Sequence, residues 1–169
     1  MDVACRDAHG LLSRITEVLH DEGLAILAAD IATWPDGAVL DSFVVAAAER
    51  PSPRALGEAV EARLRGPLHP TPMPSLDLHF DNDALPWHTS CTISGPDQPG
   101  ALQAVSAAFA EAKLEVHAAR IATRDGRMDD RFSVTDRLGR KLDAAAMERV
   151  RALLAGTAKR RRSLLAGHR

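Results

Sequence analysis

Two short stretches carry residue types suited to recognising a small zwitterion. The first is Asp97-Gln98-Pro99-Gly100-Ala101, set between an apolar run and a helical pattern. A chain that turns there into a helix presents free backbone N–H groups at the positive end of the helix dipole, which suits a carboxylate. Gly100 lets the backbone come close to a ligand, and Pro99 fixes the direction of approach. Asp97 offers a negative charge to an α-ammonium group, so one turn could hold both ends of a free amino acid. The second stretch is Asp7-Ala8-His9-Gly10-Leu11, with aspartate and glycine in the same order but histidine where the first has proline. A purely structural reading competes: an aspartate ahead of a helix commonly caps it, worth about 1 kcal/mol, and the glycine serves the turn.

Other chemistries lack their parts. The histidines at 9, 20, 69, 79, 88, 117 and 168 form no metal-binding helical pair, and Cys5 and Cys91 make no metal or redox spacing, so neither metal nor cofactor is expected. Ser13, Ser106 and Ser133 lack a nucleophile-elbow setting, and the glycines form no phosphate loop. No catalytic set is expected in this chain. A net charge of -2 gives no strong field for nucleic acid or an anionic membrane. No apolar run approaches the ~20 residues of a membrane helix. An RNA-binding sheet would need stacking aromatics, yet there is no tyrosine, and Phe43 and Phe132 sit in apolar alternation that reads as core. Lys159-Arg160-Arg161-Arg162 opens a basic tail over 159–169, read as solvated. Without a secretory signal pattern, both thiols are expected reduced and the protein cytoplasmic.

What positions the two turns is a repeat. Displaced by 90 positions, Asp7 meets Asp97, Gly10 meets Gly100, and Ala28-Ala29 with Ile31-Ala32-Thr33 meet Ala118-Ala119 with Ile121-Ala122-Thr123. Past the turn the offset falls to 89, and Gly37, Asp41, Phe43 and Val45 meet Gly126, Asp130, Phe132 and Val134. Glycine, aspartate and phenylalanine recurring at matching punctuation indicate an internal duplication.

Each copy predicts the same elements: a short strand, the turn, a helix with Leu12, Ile15 and Leu19 (or Leu102, Val105 and Phe109) on its buried face, then a hairpin. Irregular alternation over 24–34 and 114–124 points to a bulge or two-sided burial. Pro35-Asp36-Gly37 and Asp125-Gly126 are the hairpin turns. Ser52 with Pro53, and Asp143, are expected to cap the second helices, which Gly66 and Gly156 end. Proline-rich 66–74 connects to an alternating segment at 75–80, expected to close the first copy, whereas nothing in 159–169 matches it as a closing strand. Asp41 and Asp130 are read as strand-start residues of no special role, and Trp34 as packing.

The segments "GPDQPGAL" (95–102) and "LEVHAARIATRDGRMDDRFSVTD" (114–136), with 5–45 of the first copy, resemble the ACT domain, a small amino-acid-sensing regulatory module. The resemblance implies an α+β fold of two ferredoxin-like βαββαβ units, antiparallel sheets with helices on one face. The units are expected over 1–80 and 88–158. "ARIATR" and "FSVTDRLGRKL" are most similar to the C-terminal ACT pair of the bacterial PII uridylyltransferase/uridylyl-removing family. The abrupt start predicts a piece of a longer protein. In the ACT family effectors lie near the strand-to-helix turn between neighbouring modules. The resemblance therefore implies ligand contacts from Asp97, Gln98, Pro99, Gly100 and Ala101, and from Asp7, Ala8, His9, Gly10 and Leu11. It also implies partners: a free amino acid, glutamine first, self-association through sheet edges or ACT–ACT pairing, and the catalytic domains of a parent enzyme. The alternative it leaves is an ACT scaffold without ligand.

Overall fold

The structure is a computed structural model that describes residues 1–49 and 51–158. The expected basic tail, 159–169, lies outside the described residues. The elements are β1 (Asp2–Arg6), α1 (Leu11–Asp21), β2 (Ala25–Thr33), β3 (Ala38–Ala46), α2 (Pro53–Arg63), β4 (Asp77–Asp81), β5 (Thr89–Pro96), α3 (Ala101–Glu111), β6 (Leu114–Arg124), β7 (Arg127–Asp136) and α4 (Ala144–Ala155). All strands join one antiparallel sheet of seven, in the order β1-β3-β2-β6-β7-β5-β4. The α+β class follows directly from the period of the sequence: Val39, Asp41 and Phe43 are buried while Leu40 and Val44 are exposed.

The two copies meet across a pseudo-twofold axis. β2 pairs with β6 so that Asp30 faces Arg120, its own equivalent in the repeat, and the register runs symmetrically either side. Over that seam α1 packs on α3, where Thr16 Oγ1 and Ser106 Oγ, again equivalents, lie 2.9 Å apart. Both hydroxyls also bond back to carbonyls of their own helices, so neither is left unsatisfied where the helices cross. Small Ala104, Ala107 and Ala108, each fully buried, let the helices approach. The irregularity expected in the hairpin strands is a bulge at Leu27 in β2 and at His117 in β6, again one repeat apart.

The caps of the second helices form as expected. Ser52 Oγ accepts from Ala55 N–H at 3.5 Å, and Asp143 Oδ1 from Ala146 N–H at 2.7 Å.

The strand expected to close the first copy joins the other one. β4 pairs with β5, completing β6-β7-β5-β4, and β1 is left as an edge. The reason lies in the connection. Met73 N–H donates to Leu154 O at 2.7 Å, Gln98 Nε2 donates to Ser75 Oγ at 2.6 Å, and Leu76 is buried against Gly95. The proline-rich segment thereby crosses the end of α4 and delivers the strand to β5. A methyl group on Gly95 would stand 2.8 Å from Leu76 Cδ2 and 3.0 Å from Ser75 O. Gly95→Ala is therefore expected to cost about 1–3 kcal/mol by overpacking. Faster amide exchange confined to Asp77–Asp81 would report the loosened strand; unchanged exchange there would contradict this packing.

Candidate functional site

Both candidate turns are built alike. Asp97 N–H donates to Gly126 O at 2.9 Å and Asp7 N–H to Gly37 O at 2.9 Å, tying each turn to the tip of its own hairpin. The residue that starts each helix is glycine in the left-handed region, Gly10 at φ 76° and Gly100 at φ 80°. Neither helix start has a side-chain cap. The capping reading of Asp7 and Asp97 thus falls: the αL glycine turns the chain, and the aspartates stand three residues back. Ala101 N–H donates to Gln98 O at 3.0 Å, so the donors left at the start of α3 are the amides of Leu102 and Gln103.

The axis places each turn against the other copy's first helix and first hairpin strand. Asp97, Gln98, Pro99, Gly100 and Ala101 line a cavity of about 370 Å³, whose opposite wall is Thr16, His20 and Gly23–Leu27 of the first copy. Its floor is Ile121, Thr123, Met128 and Asp130 of the sheet. This lies in the range of small-molecule sites, roughly 300–1,000 Å³. Gln98 also spends its amide on Ser75, so its side chain helps hold the turn to the connection.

The twofold-related cavity, lined by Asp7, Ala8, Gly10 and Leu11 with Asp41, Ser106, Phe109 and Leu114, holds about 40 Å³. That is room for a few waters at roughly 10–15 Å³ each. His9 accounts for the difference. Its Nε2 is 3.0 Å from Ala110 O and its Nδ1 3.4 Å from Glu115 Oε1, so the ring ties the turn to the opposing helix end. Leu68 from the connection then packs within 3.4 Å of where a Gly10 side chain would start. Pro99, in the equivalent place, has no group to make such a tie. The structure therefore brings the first set of predicted residues together around space and the second set together without it.

Sequence reasoning missed the floor and the opposite wall. Asp130 and Asp41 are almost wholly buried, 0 % and 1 % exposed, and in each one carboxylate oxygen has no partner among the described residues. Burial, the first cause, lifts both carboxyls to about 7; Ala122 N–H holds Asp130 down somewhat, and nearby Asp97 and Asp129 raise it further. The signal was present in the recurrence of the pair at an inward position of an apolar strand, where a charge is costly. His20 lies against the Gly100 backbone, its ring carbon 3.3 Å from the position a Cβ would take. No group of three His, Cys, Asp or Glu suited to a metal occurs among the described residues, and no described helix is long and apolar enough to cross a membrane.

Residues 89–155 match the ACT domain family. The chain is similar to proteins named bifunctional uridylyltransferase/uridylyl-removing enzyme. That of Gluconobacter oxydans is 34% identical over 91% of this chain, which covers 19% of that protein. That of Rhodospirillum rubrum is 33% identical over 83% of this chain and 17% of its own length. The chain thus spans about a fifth of the relatives it matches. Among solved structures, aspartate kinase from Synechocystis aligns with a TM-score of 0.46 at 17% identity, over 92% of this chain and 26% of that one.

Proposed function

We propose, from the premise that residues 89–155 are an ACT domain and that the first half of the chain repeats it, that this protein is an amino-acid-sensing regulatory module. It binds one free amino acid in the cavity between its two copies. The observation that carries this reading is the cavity of about 370 Å³ formed jointly by the Asp97–Gly100 turn and the first copy's α1 and β2. A ligand there touches both copies, so its binding changes how firmly they hold together, which is what a regulator transmits.

The lining favours glutamine over glutamate. It contains Asp97 and Asp130 but neither lysine nor arginine, with His20 as its one basic side chain, so a second carboxylate on the ligand would meet two carboxyl groups and no permanent positive charge. A side-chain amide carries no such penalty. The output is control of an attached nucleotidyltransferase, the relatives being named uridylyltransferases, with a PII protein as its substrate and the cytoplasm as its place. A scaffold without ligand is the second reading, favoured by the closed first cavity and by β1 as an unpaired edge among the described strands.

The test is a thermal-shift screen of the purified chain against the twenty amino acids. A ligand at 100 times its dissociation constant stabilises by about 2.7 kcal/mol. Glutamine is expected to raise the melting temperature and glutamate to leave it in place; no shift with any amino acid would favour the scaffold.

A further inference from the structure

Asp130 is fully buried, lines the cavity, and accepts one hydrogen bond through Oδ1 from Ala122 N–H at 3.2 Å, while Oδ2 has no partner among the described residues. A buried carboxylate oxygen without a donor is costly, and natural structures keep one where something else supplies the donor. The strand fixes why it points there: Asp130 shares the inward face of β7 with Met128 and Phe132, both buried, and has Ala122 of β6 as its backbone donor. Asp97, by contrast, is held by its own backbone to the hairpin tip, on the rim.

We propose that Asp130, not the Asp97 turn, receives the ammonium group of the ligand, while the uncapped start of α3 receives its carboxylate. The two ends of the ligand are then read by different elements, the sheet floor and the helix start. This proposal rests on the reading of the cavity as an amino-acid site and adds which atom each end meets. It also gives the ligand class a boundary: compounds with a free α-amine and α-carboxylate enter, while 2-oxo acids and deaminated acids lose the floor contact. Asp41, the twofold equivalent, has the same unpartnered carboxyl but faces about 40 Å³, too little for a ligand. It serves as the internal control.

The experiment is calorimetric titration of the wild-type chain, Asp130→Asn and Asp41→Asn, each first shown folded by circular dichroism. The probes are L-glutamine, or whichever of the twenty amino acids stabilises the chain most, and its deaminated carboxylic acid analogue. Asparagine keeps the shape and the Ala122 bond but not the charge. Asp130→Asn is expected to weaken the amino acid by about 30-fold or more, as for loss of one partner of a buried charged pair. Asp41→Asn stays within about twofold. The deaminated analogue binds the wild type weakly and loses nothing further in Asp130→Asn. Undiminished amino-acid binding by Asp130→Asn, or an equal loss for both probes, overturns the proposal and leaves the sensor reading standing. No binding of any amino acid to the wild type overturns both.

Discussion

Asp130→Asn is expected to make the protein more stable at pH 8, by up to roughly 4 kcal/mol, and to bring no gain near pH 4. The carboxyl titrates at about 7 in the folded chain against 3.8 as its ordinary value, because burial disfavours the charged form. Between those values the native state keeps a proton that the unfolded chain has released. Stability from this group is therefore complete below about pH 4 and drains away as pH rises through 7. About three pH units at 1.36 kcal/mol each sets the ceiling. Asparagine resembles the protonated carboxyl and has no such loss. Asp41, raised to about 7 by burial and by Asp7, behaves alike, and the double variant approaches the sum because the two sites occupy different copies. Urea unfolding at pH 4, 6 and 8 reads this directly. A wild-type stability that does not fall between pH 5 and 8, with no gain in either variant, would show both carboxyls to be ionised and compensated.

Phe132→Ala is expected to cost about 3–5 kcal/mol, the range for deleting a buried aromatic ring. Phe132 is 2 % exposed at the middle of β7, and its ring meets that of Phe109 on α3 edge to face, centroids 5.1 Å apart. That contact pins the C-terminal end of α3 to the sheet, beside the small first cavity that Phe109 lines. Neighbours are strands and a helix already fixed by backbone pairing, so the hole cannot collapse. The urea midpoint should fall with an unchanged slope. A loss under 1 kcal/mol would mean that the core on this side is loosely packed.

Much of the fold was legible because period, punctuation and repetition agreed. Leu12, Ile15 and Leu19 announced a helix face, Asp125-Gly126 a tight turn, and Asp143 a cap, and each is decided by neighbours close in sequence. The destination of β4 was not legible: residues 75–80 read as a strand, but their partner is chosen by Gly95, Leu154 and Gln98, far along the chain. The site divides the same way. The Asp97–Gly100 turn shows in the sequence because it is a local device, whereas the wall from Thr16, His20 and Leu27 exists only through the twofold packing of the copies. His9 could be seen to depart from proline; that its ring closes the first cavity depends on Ala110 and Glu115, a hundred residues away. Asp130 was set aside as a strand-start residue although it shares the inward parity of Met128 and Phe132; what alternation does not show is that its carboxyl ends without a partner at the floor of a cavity.

One measurement bears most directly on the claim that a duplicated module has kept one of two sites: calorimetric titration of the chain with L-glutamine, read for stoichiometry. One molecule bound per chain, undisturbed by Asp41→Asn, is the expected result. Two bound per chain would mean that His9 does not close the first cavity, and no binding of glutamine or of any other amino acid would mean that the pair of domains serves as a scaffold.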